Sequence, residues 1–63
     1  MKIKYVYRYT PDQEKIFDTV EAYKKLPEWD TTTTQKDFDN ITLAEMQKEK
    51  DIGIILRYEV IEP

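Results

Sequence analysis

Ile52-Gly53-Ile54-Ile55-Leu56-Arg57-Tyr58-Glu59-Val60-Ile61 is the most apolar run in the chain and is rich in β-branched residues. That composition suits a half-buried pleated surface, so the run reads as the strand against which most of the core packs. Strict alternation places Ile52, Ile54, Leu56, Tyr58 and Val60 on one face. Gly53, Ile55, Arg57, Glu59 and Ile61 fall on the other.

A second strand is legible at the opposite end. From Lys2 to Tyr9, Ile3, Tyr5, Tyr7 and Tyr9 alternate with Lys2, Lys4, Val6 and Arg8. The basic side is unsuited to a core, so the tyrosine side is expected to face inward. The interleaving of bases and aromatics is also met in single-strand-binding sheets. There, however, the aromatics stand on the open face above an apolar layer. Lys4, Val6 and Arg8 would make a poor layer, and core tyrosines are the better reading.

Between the strands, two helix starts stand out. Thr10-Pro11-Asp12-Gln13 offers a cap, a proline suited to the first helical position and a capping-box glutamine. Ile16, Phe17, Val20, Tyr23 and Leu26 then form one helical stripe, closed by Lys24, Lys25 and Pro27. Ile41 to Met46 repeats the grammar: Thr42 and Glu45 form a capping box, Ile41 can staple onto Met46, and Leu43 and Met46 are core candidates. That short helix is expected to end by about Lys50. In the intervening stretch Trp29 is expected to fold back onto the core. The four threonines from Thr31, with Gln35 to Phe38, suggest a short polar edge strand or an extended loop.

The expected order is β-α-(β)-α-β over one domain, residues 1–63. This is a small two-layer α+β sandwich with a two- or three-stranded sheet, paired terminal strands and both helices on one face. A chain of 63 residues buries only about 60% of its unfolded surface, so the core is thin.

Composition excludes more chemistry than it suggests. The chain has no Cys, no His and no Ser, which leaves triad and thiolate nucleophiles without members and removes the usual metal ligand. A single glycine rules out a phosphate-cradling loop. Asp37-Phe38-Asp39, with Asn40 and Glu45 nearby, has oxygen ligands for a hard cation. The glycine and bidentate glutamate spacing of a calcium loop is missing, because the twelfth position from Asp37 is Lys48. The expectation is no enzyme, no cofactor and no metal site. Absence of cysteine, of an apolar leader and of a run approaching the roughly 20 residues of a membrane span points to a cytoplasmic protein.

Two surfaces remain. The sheet face opposite the tyrosines would set Lys4, Val6 and Arg8 beside Ile55, Arg57 and Glu59, a small apolar centre with a charged rim. On the first expected helix, Glu14, Asp18 and Glu21 would share an acidic face. With a net charge of −3 and a pI near 4.8, a general nucleic-acid binder is disfavoured. By elimination the chain reads as a non-enzymatic protein-interaction module: a small accessory, regulator or inhibitor of the kind met among phage and mobile-element products. Its partner would be another protein or a second copy of itself. The alternatives are a nucleic-acid binder using Lys2, Lys4, Arg8 and Arg57, and a structural subunit of a larger assembly.

Overall fold

A computed structural model describes residues 1–27 and 32–63. The elements run β1 (Lys2–Tyr7), β2 (Lys15–Asp18), α1 (Thr19–Lys24), α2 (Gln35–Asp51) and β3 (Ile55–Glu62). The strands form one antiparallel sheet in the order β2-β1-β3. The expected class holds, a small α+β sandwich whose terminal strands pair, but two elements are not the ones expected.

The first correction concerns residues 10–18. Thr10 caps no helix; Thr10 N–H donates to the Tyr7 carbonyl and Gln13 N–H to the Thr10 carbonyl, closing a turn. The chain then returns as β2, with Lys15 opposite Tyr5 and Phe17 opposite Ile3. Ile16 and Phe17 have strong strand preference, and β2 covers what would otherwise be an open edge of β1. Tertiary pairing therefore overrides the capping grammar. The helix starts only at Thr19, where Asp18 caps it by accepting from Val20 N–H (3.0 Å) and Glu21 N–H (3.3 Å).

The second correction concerns residues 32–42. No edge strand forms among the described residues of this stretch; it opens α2 instead. Thr34 is the N-cap, its Oγ1 accepting from Asp37 N–H at 3.1 Å while Asp37 Oδ2 accepts from Thr34 N–H at 3.4 Å. Thr42, expected as a cap, lies inside the helix and donates to the Phe38 carbonyl. Ile41 is exposed rather than stapled. The expectations for Trp29 and Thr31 fall outside the described residues.

α2 ends in a tight reversal that hands the chain directly to β3. Gly53, at φ 84°, donates to the Lys50 carbonyl (3.0 Å), and Ile54 N–H reaches back to the Glu49 carbonyl (2.8 Å). These are the two bonds of a Schellman motif, which requires the left-handed conformation that glycine adopts without a Cβ penalty. Ile52, expected in the strand, is instead the C-cap of α2.

The core is Ile3, Ile55 and Met46, with Met1, Tyr5, Tyr7, Phe17, Leu43 and Tyr58 packed around them. The inward tyrosine side is realised at Tyr5 and Tyr7, whereas Tyr9 lies past the strand end and is 72% exposed. On β3 the expected faces are not kept. Tyr7 pairs with Ile55, Val6 with Arg57 and Tyr5 with Tyr58, so Leu56 is the extra residue of a bulge. The bulge brings Ile55 and Tyr58 to the same, inward face. Ile55, expected on the outer face, is a core residue at 1% exposure.

Candidate functional site

The outer sheet face does not assemble the apolar centre expected of it. With Ile55 turned inward, Val6 remains, and it too is only 1% exposed. Lys4, Glu14, Arg57 and Glu59 line a concavity of about 180 Å³ around it. The carboxylates there are each answered by a lysine. Lys4 Nζ lies 3.1 Å from Glu59 and 3.3 Å from Glu14, and Lys2 Nζ lies 3.4 Å from Glu62. Hydrogen bonds that the Lys4 ammonium donates to Glu59 and then to Glu14 raise its pKa above the ordinary value, ahead of their Coulombic attraction. Arg8 stands apart at the β1–β2 turn, stacked over the Tyr9 ring at 4.7 Å.

Nor do Glu14, Asp18 and Glu21 share a helical face. Glu14 is in the turn and pairs with Lys4, Asp18 is the α1 cap, and Glu21 in α1 pairs with Lys24 at 3.3 Å. Asp37 and Asp39 are likewise engaged. Asp37 completes the α2 capping box, and Asp39 accepts from Gln35 Nε2 at 2.9 Å. Burial works against the Asp39 carboxylate. Hydrogen bonds from Thr19 and Gln35, with the Met1 ammonium nearby, outweigh it and lower its pKa. Thr19 itself is fully buried, tied to Met1 by a pair of side-chain hydrogen bonds.

The opposite sheet face holds the larger concavity. α2 is drawn toward β3 by the short Schellman link and by a 2.6 Å hydrogen bond from Tyr58 Oη to Gln47. Its N-terminal part meets α1, where Tyr23 packs on Phe38 at 5.9 Å. The β2 side of the inner face is thereby left uncovered as an open groove of about 320 Å³. Tyr5, Tyr7 and Phe17 line it from the sheet; Ile41, Thr42, Glu45, Met46 and Glu49 line it from the helix. The Tyr5 and Tyr7 rings meet edge to face, 5.2 Å apart at 84°, so they form a corner rather than a flat stack. Lys15 Nζ sits 5.2 Å from the centre of the Tyr7 ring. Burial, then the neighbouring Tyr7 and the Glu49 carboxylate, raise the Tyr5 pKa above its usual 10.0.

Glu45 and Glu49 have no cationic partner among the described residues, in contrast to every acid named on the outer face. Ile41, Glu45 and Glu49 are spaced by four along one row of α2. That row is hidden in the sequence because the Thr42–Glu45 capping box starts the expected helix only after Ile41. Among the described residues no group of three or more His, Cys, Asp or Glu is placed to hold a metal ion, and no helix is long and apolar enough to cross a membrane.

The geometry thus defines a small α+β sandwich with an open aromatic groove. No family model, curated protein or solved structure matches the chain.

Proposed function

We propose that this chain is a small, non-enzymatic, cytoplasmic interaction module that acts by receiving part of another protein in the groove between α2 and the sheet. The observation that supports the reading is the groove itself, about 320 Å³ walled by three aromatic rings that the fold leaves partly uncovered. Aromatic side chains with apolar bodies and polar tips are the anchors that interfaces favour. A nucleic-acid role on the outer sheet face is less well supported. Lys2 and Lys4 are held by carboxylates, so Arg8 and Arg57 alone would have to meet phosphate.

The test is affinity capture from host lysate with nuclease present, run in parallel with Ile41→Glu. Ile41 is 56% exposed, so a charge there leaves the core intact while obstructing the groove. A stoichiometric protein retained by the native chain and lost by the variant is the expected result. Recovery that nuclease abolishes, or that the variant leaves unchanged, overturns the reading.

A further inference from the structure

Resting on that reading, we infer that the groove is built for a cationic side chain, the lysine or arginine of a partner polypeptide, with the ring faces and the two α2 carboxylates as its receptors. The argument is one of charge complementarity. The groove lining carries two carboxylates, Glu45 and Glu49, and no basic residue. Both are i and i+4 on one helix, an arrangement in which like charges repel. A cation between them and the sheet removes that repulsion.

The aromatic side is suited to the same occupant. Ring faces carry negative potential, and the perpendicular arrangement of Tyr5 and Tyr7 turns their two faces in different directions at one corner. Lys15 shows that an ammonium rests against the Tyr7 ring in this environment. Ile41 and Met46 supply apolar surface on the helix side, where the methylene stem of a lysine or arginine can lie while its head meets the carboxylates. A neutral apolar side chain would bury the rings equally well but would leave Glu45 and Glu49 unanswered. On the outer face no such vacancy for charge exists around Lys4, which already has two acids. The net charge of −3 also favours a basic partner over an acidic one.

The experiment is a two-dimensional NMR titration of the intact chain with N-acetyl-arginine amide. The uncharged isostere N-acetyl-citrulline amide serves as control. Saturable shifts at Tyr5, Tyr7, Phe17, Glu45 and Glu49 are expected with the arginine probe, with binding about tenfold weaker for citrulline. Glu45→Gln with Glu49→Gln should weaken the arginine probe by a similar factor, whereas Glu59→Gln should not. Equal response to both probes, shifts spread over the acidic surface, or no response at all overturns the inference. Shifts at the groove that grow with protein concentration in the absence of probe identify a second copy as the occupant, and this also overturns it. The two readings separate cleanly. If Ile41→Glu abolishes partner capture but the double glutamine variant does not, the groove is the interface and its occupant is not a cation.

Discussion

On the face away from α2, Lys4 stands between Glu14 and Glu59, and Lys2 reaches Glu62. On the face toward α2, Glu45 and Glu49 overlook three aromatic rings in a groove that no basic residue lines, Lys15 reaching only the Tyr7 ring beside it. The same sheet separates a surface whose carboxylates are each met by a lysine from one whose carboxylates are not. Matched exposed pairs contribute little stability and offer a partner little, because any new contact must first displace an existing one. Unmatched carboxylates beside uncovered rings leave both kinds of contact to be made from outside. The comparison teaches that the density of charge on a surface is a poorer guide to its use than whether those charges already have partners.

The comparison rests on which way Ile55 points, and that gives the largest expected effect. If Ile55 belongs to the inner core, Ile55→Ala should destabilise the chain by about 2–5 kcal/mol in a denaturant melt, a large share of the stability of so small a domain. Leu56→Ala, at the exposed bulge position beside it, should change stability far less. Equal effects of the two would mean that the bulge is not where the pairing places it.

Next comes the link that holds α2 toward β3 and so keeps the groove open. Nothing crowds a Cβ at Gly53, so the cost of Gly53→Ala arises from its positive φ alone. A loss of about 1 kcal/mol is expected in the same melts. The variant should also perturb the amide signals of Glu49 and Ile54, whose hydrogen bond depends on that turn.

Acid sharpens the contrast between partnered and unpartnered carboxylates on one helix. Asp39 has a folded pKa depressed below 3.8, so its contribution is present above that value and is lost as the pH falls toward the depressed one. Acid titration below about pH 4 should therefore destabilise the native chain more steeply than Asp39→Asn, as read by melting temperature. Identical slopes would remove Asp39 as a stabilising group.

Smallest is the response of the two faces to salt. Lys4→Gln should lower the melting temperature at low ionic strength. Glu45→Gln with Glu49→Gln should raise stability by about 0.2–0.5 kcal/mol by removing a repulsion. Both differences should fade near 1 M salt, where the screening length falls to about 3 Å. Shifts of the same sign for the two variants would erase the distinction between the faces.

Much of this architecture was legible in the sequence and some was not. Period-two alternation located β1 and the apolar run located β3, and their pairing followed from where the apolar faces lay. The helical stripe from Ile16 to Leu26 misled because Ile16 and Phe17 satisfy a strand as well as a helix. The choice between them was made by the unpaired edge of β1, a tertiary fact. Thr34 and Asp37 carry the true start of α2, a capping box with Asp in place of Glu, overshadowed by the threonine run before it. The groove depended on all of these at once. Phe17 had to be on a strand, Ile41 on a helix and Ile55 turned inward by a bulge that alternation does not foresee.

The pairing of β1 with β3 has a consequence for how the chain is made. Tyr7 and Ile55 are neighbours in the sheet yet lie roughly fifty residues apart, so their contact closes a long loop that holds β2, α1 and α2. On the ribosome the β1–β2 hairpin can form early from local contacts, while the other edge of β1 waits, with Ile3 uncovered, until β3 emerges. Until β3 emerges the nascent chain therefore displays an open strand edge beside unpacked tyrosines, the state in which it is most exposed to pairing with the wrong strand.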